Sequence, residues 1–245
     1  MKNQYAGDVG DLSKFALLKS LRKTFPEERI GVLWYLTPDD PIDHGPKDGR
    51  FTEYEWLRDC DPDLYLALHE IASKRPRKVS EFGRHHLTEG LTEFDELLDT
   101  SGLAPPLRSE TRRAWFERAL AKVAGCPFVL LDPDNGLATD EVKESQSRAS
   151  KFVLREELKE LHDQGRTVIC YQHAVRSEPF DSLLRKILKT YPGSFALRWH
   201  AIQARAYVVW PAVGRERETV LWGEGLVGGP WRTHFTMVSV SPRVC

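Results

Sequence analysis

The sequence carries almost no net charge: 35 Lys and Arg against 36 Asp and Glu over 245 residues leave a formal −1. That excludes bulk attraction to a polyanion or an anionic membrane, so only local basic patches can serve as footprints. Cysteine is scarce, with four residues, Cys60, Cys126, Cys170 and Cys245, and no C-x-x-C pair. Such scatter argues against a disulfide frame or a zinc knuckle and predicts free thiols in a reducing compartment, hence a cytoplasmic protein. The start, MKNQYAGDVGD, lacks an apolar signal core. No apolar run approaches the ~18 residues of a membrane span, which predicts no membrane partner.

What is present suffices for a core. Hydrophobic residues make up 41% and aromatic residues 10% of the chain, a composition that disordered chains do not have. Phe15, Leu18, Leu21 and Phe25 recur at helical spacing over Leu12 to Phe25, with Asp11 as the expected N-cap and Pro26 beyond the end. Ile30 to Leu36, Phe128 to Leu131 and Val168 to Tyr171 are short continuous apolar runs, the pattern of strands buried on both faces in a parallel sheet. Helices are expected over Pro62–Ser73, out of the loop Asp99–Arg113 with Trp115, Phe116, Leu120 and Val123 as the apolar face, over Ser150–Asp163 and over Phe180–Tyr191. Further strands are expected at Arg77–Phe82 and as an antiparallel pair, Ser194–His200 with Arg205–Pro211. Alternating strand and helix predicts an α/β, three-layer Rossmann-like fold with a mostly parallel sheet. Residues 1–222 are expected to form one such domain, and 223–245 a Gly-rich C-terminal extension.

Ligands of open parallel sheets bind outside the carboxyl ends of the strands. Three such ends here carry polar residues: Asp39, Asp40, Asp43 and His44; Asp132, Asp134 and Asn135; Gln172 and His173. The Asp132-Pro133-Asp134-Asn135-Gly136 turn is the sharpest signal. Pro133 stiffens the exit from the strand and Gly136 admits a close approach, so Asp132 and Asn135 are expected on a constrained, partly exposed loop. A carboxylate and an amide held in this way can read an exocyclic amine or orient a metal. His85 and His86 are adjacent and cannot share a helix face, so they make a poor ligand pair. Two basic clusters, Arg108/Arg112/Arg113/Arg118 and Lys143/Arg148/Lys151/Arg155, keep nucleic acid open as a partner, although such clusters commonly form solvated helix faces.

The ordered features Tyr5-AGDVGDLSKFALLKSL, Ile30 to Leu36, FVLLDPDNG, VICYQHAVR, FALRWH and AYVVWP resemble the bacterial adenine-N6 methyltransferases of large-subunit ribosomal RNA. Ala6, Gly7, Asp11 and Lys14 match that family's A-G-x-x-x-D-x-x-K pattern, and Asp132-Pro133 matches the start of its Asp-Pro-Pro-Tyr turn. Thr37-PDDPIDHG stands where the family has a Gly-rich turn, and Asp134-Asn135 where it has Pro-Tyr. The resemblance implies a class I methyltransferase fold binding S-adenosylmethionine, with Lys14, Asp39 and Asp40 beside the cofactor. The KNQYAGD start and DPDNG turn are also similar to a second bacterial family, a likeness that implies no activity.

Two chemistries remain open at this point. In methyl transfer to a nucleic-acid base or similar amine, Asp132 orients the amine, Asn135 assists and His173 lines the pocket. In metal-dependent hydrolysis by a nuclease or phosphohydrolase, Asp132, Asp134 and His173 hold Mg²⁺ or Mn²⁺, which activates water. A non-catalytic binding module is the third alternative, and the sequence does not speak to oligomeric state.

Overall fold

Apolar alternation builds the sheet. In β3 (Phe128–Leu131), Phe128 and Leu130 face one layer while Val129 and Leu131 face the other, all of them buried. The computed structural model describes residues 1–40, 51–175 and 177–240. Its central sheet has seven strands in the order β2-β1-β3-β6-β8-β7-β9. Here β1 is Ile30–Leu33, β2 Leu91–Phe94, β6 Thr167–His173, β7 Phe195–Trp199, β8 Arg205–Trp210 and β9 Phe235–Ser239. The pairs β1–β2, β1–β3 and β3–β6 are parallel; β6–β8, β8–β7 and β7–β9 are antiparallel. The sheet is therefore mixed, with a parallel half that carries all three strands expected from apolar runs.

Helices cover both faces, an architecture compatible with a Rossmann-like three-layer fold. On one side α1 (Val9–Thr24), α2 (Pro62–Ser73) and α7 (Glu216–Gly228) bury Phe15, Leu68 and Trp222 against Val32, Leu130 and Val209. On the other, α4 (Pro105–Lys122) and α5 (Arg155–Asp163) bury Trp115, Phe116 and Leu161 against Val129 and Leu131. Beside them α6 (Phe180–Thr190) packs Leu184 on Ala196 and Val208. A two-stranded parallel sheet, β4 (Gly136–Leu137) with β5 (Phe152–Val153), secures the chain just after β3. No helix is long and apolar enough to cross a membrane among the described residues.

Several expectations are corrected. The N-cap of α1 is Asp8, whose carboxylate accepts from the Gly10 and Asp11 amides; Asp11 sits one turn inside. Arg77–Phe82 is not a strand. Val79 and Phe82 are three residues apart, and Phe82 lies in the short helix α3 (Glu81–Arg84), while β2 at Leu91–Phe94 supplies the strand. Helix α5 begins at Arg155 rather than Ser150, because Phe152–Val153 is drawn into β5. The expected boundary after residue 222 falls inside α7, and β9 joins the central sheet. Cys126 and Cys170 are buried free thiols and Cys60 is partly buried; Cys245 lies outside the described residues.

Candidate functional site

The carboxyl ends of β3 and β6 run side by side, with Leu131 opposite Cys170. Past them, the His173 amide donates to the Asn135 carbonyl at 3.1 Å and the Asn135 amide to the Lys151 carbonyl at 2.9 Å. The DPDNG turn is thus fastened on both sides. Gly136 makes this possible: its φ is +116°, and a Cβ there would stand 2.4 Å from Oε1 of Gln172. That Gln172 carboxamide accepts from the Leu137 amide at 2.9 Å and donates to the His173 carbonyl at 2.9 Å.

Asp132 is not partly exposed; it is buried, and so is its partner. Lys14 Nζ lies 2.7 Å from Asp132 Oδ2 and 2.8 Å from Asp11 Oδ1. Burial alone would lower the Lys14 pKa, but the two carboxylates raise it, so the ammonium stays charged. Burial pushes the pKa of Asp132 up against the downward pull of Lys14, and Asp11 shifts the same way for the same first cause. The Met1 α-ammonium pairs with Asp134 Oδ1 at 2.8 Å and donates to the carbonyls of Tyr35 and Asp132 at 3.1 and 3.2 Å. Among the described residues nothing hydrogen-bonds the second Asp132 oxygen, Oδ1.

These groups border a cleft of about 130 Å³ that also touches Asn135, Tyr171, His173 and Arg205. Tyr171 Oη and His173 Nδ1 are 2.9 Å apart, and burial pushes the Tyr171 hydroxyl up to about 12. Asp132, Asp134, Asn135 and His173, expected to converge from two strand ends, therefore line one cleft. A larger hollow of about 410 Å³ opens between α4, α5 and residues 138–144, away from these strand ends.

The other candidates lie elsewhere. Asp39 accepts from the Gln4 amide at 3.1 Å, and Asp40 pairs with buried Lys2 and accepts from Gln4 Nε2 at 3.2 Å. Neither borders the cleft. Asp43 and His44 lie outside the described residues. His85 Nε2 sits 3.0 Å from Lys74 Nζ, and His86 points to solvent. Most of the basic clusters are engaged internally: Arg112 is buried on Glu157 at 2.7 Å, Arg118 pairs with Glu96 and Arg155 with Asp140. Of those eight residues only Lys151 borders the cleft. Sequence reading missed Met1 and Arg205. Arg205 resembles a charge flanking a strand until α1 packs over it.

Neither expected cofactor fits the described residues. Lys14, Asp39 and Asp40, which were to hold S-adenosylmethionine, are bound by the chain itself, and the cleft is well below the roughly 300 Å³ at which drug-sized sites begin. For Mg²⁺ or Mn²⁺, Asp132 and Asp134 already hold ammonium groups, and no group of three His, Cys, Asp or Glu side chains is arranged to hold a metal among the described residues. No family model matches the chain, and neither curated proteins nor solved structures yield a match.

Proposed function

We propose that the cleft at the β3 and β6 ends is the substrate site of an enzyme acting on an amine, with Asp132 accepting the substrate N–H. The observation that carries this is the half-used carboxylate: Oδ2 is fixed by Lys14 while Oδ1 is left as an acceptor in a polar cleft. Asp132 is 3% exposed, so its second oxygen has little access to water, and a substrate amine supplies a donor for it. An apolar cavity of about 150 Å³ admits benzene. A cleft of about 130 Å³ therefore takes one amino-bearing ring edge, as of a nucleic-acid base, with the rest of the substrate outside. Methyl transfer, the reaction the resemblance implies, needs such an acceptor to orient the amine lone pair. The described cleft has room for the amine and none for a methyl donor.

Calorimetric titration with adenine, purine and hypoxanthine tests this. The three bases share the ring imidazole N–H and differ at C6: adenine carries the exocyclic amine, purine only hydrogen and hypoxanthine a carbonyl. Wild type should prefer adenine by about tenfold, the size of one charge-assisted hydrogen bond. In Asp132→Asn the Lys14 ammonium, which can only donate, claims the amide oxygen, so the amide N–H₂ faces the cleft and the preference should turn to hypoxanthine. Equal binding of all three by wild type contradicts the proposal.

A further inference from the structure

A second polar group in the cleft has no partner that accounts for it. Arg205, at the start of β8, is 2% exposed, and its guanidinium packs over the first turn of α1 where Gly10 leaves space. A Cβ on Gly10 would stand 2.0 Å from Nη1. One Nη donates to Gln203 Oε1 at 2.8 Å, while Nε is buried with no hydrogen-bond partner. No ion pair joins Arg205 to a carboxylate among the described residues, although every other buried Arg or Lys close to this cleft has one: Lys14 with Asp11 and Asp132, Lys2 with Asp40. Burial opposes the Arg205 charge, and Tyr171 and Asp8 offset this without pairing with it; Asp8 Oδ1 already accepts from the Gly10 and Asp11 amides at 2.7 and 3.2 Å. Half-buried Lys151 borders the same cleft, also without an ion pair among the described residues.

A buried guanidinium lacking an anion is expensive, and its planar fork matches a phosphate or carboxylate. The α1 N-terminus beside it adds positive potential of the same sign. We propose that the amine taken by this site carries an anionic group, a phosphate or a carboxylate, which seats on Arg205 while Asp132 accepts the amine N–H. This rests on the amine reading above and adds a substrate class to it: aminated rings bearing an anion. The cleft then recognises a charged pair, with acceptor and cation on different elements, β3 and β8.

Two matched pairs separate the anion from the amine and one anion source from the other: adenosine 5′-monophosphate against adenosine, and 4-aminobenzoate against aniline. Calorimetry on the wild-type chain should show at least one anionic member binding about tenfold tighter than its neutral partner, the step expected of one charge-assisted contact. That advantage should shrink as NaCl rises from ~50 to ~500 mM, as screening requires. Arg205→Gln should remove the difference between the anionic and the neutral members. If that variant does not fold, Arg205→Lys, which keeps the charge and loses the fork, should reduce it. Neutral and anionic members binding alike in wild type overturns the anion proposal and leaves the amine reading standing. Benzoate, titrated as the amine-free control, overturns the amine reading and leaves Arg205 as the anchor if it binds as tightly as 4-aminobenzoate, and no binding by any of the four paired compounds overturns both.

Discussion

Lys14 Nζ bridges Asp11 and Asp132, at 2.8 and 2.7 Å, so a single buried ammonium compensates two buried carboxylates from different elements, α1 and the end of β3. This contact locks the first helix to the strand end that carries the cleft. Lys14→Met should therefore cost about 3–5 kcal/mol in urea denaturation, the penalty for leaving buried charge unpaired. A loss under about 1 kcal/mol would contradict the pairing.

The same variant has a pH signature. The folded pKa values of Asp11 and Asp132 lie above their ordinary 3.8, chiefly through burial, so the folded chain holds their protons more tightly than the unfolded chain. Their contribution to stability is present below the ordinary value and is lost as pH rises through the raised one. Without Lys14 both shift further upward, since its attraction is what lowers them. The deficit of Lys14→Met against wild type should be largest near neutral pH and narrow as pH falls through the raised carboxylate pKa values. Denaturation midpoints across that range check it, and a constant deficit counts against it.

At the other end of the sheet, burial depresses the His234 pKa below the ordinary 6.5. A depressed histidine favours folding above its unfolded pKa, and that contribution is lost as pH falls through the folded one. The stability difference between wild type and His234→Gln should be flat above pH 6.5 and fall as pH drops beneath it. Thermal melts of both proteins at matched pH measure it, and parallel curves throughout would refute the shift.

Gly136→Ala should destabilise by more than about 1 kcal/mol, because its φ of +116° and the Gln172 carboxamide both exclude a Cβ. Combining it with Gln172→Ala removes the clash but not the backbone strain, so a double-mutant cycle should recover only part of the loss. Full recovery would assign the whole effect to the clash.

Most of the parallel half of the sheet and part of the cleft are legible in the sequence itself. Strands β1, β3 and β6 are continuous apolar runs, and their polar ends placed Asp132, Asn135 and His173 together. Strand β2 was not legible, because Leu91–Phe94 is a four-residue edge strand with only Phe94 fully buried. The pairing of Lys14 with Asp132 spans 118 residues and depends on how α1 docks, which no local pattern encodes. Arg205 escaped for the same reason: its burial arises from a glycine in another element. The polar stretch Asn3–Lys14 was the available clue, since a solvated lead-in has no need of two glycines beside Asp8 and Asp11.

The proposed site requires that amino-bearing rings enter the cleft at the carboxyl ends of β3 and β6. Backbone amide NMR shifts on titration with adenine test it most directly. The prediction is that perturbations concentrate at Asp132, Asp134–Gly136 and Gln172–His173, and that purine needs about tenfold higher concentration to produce them. Shifts confined instead to the hollow lined by Phe116, Val142, Leu154 and Glu156, or spread without focus, would contradict it.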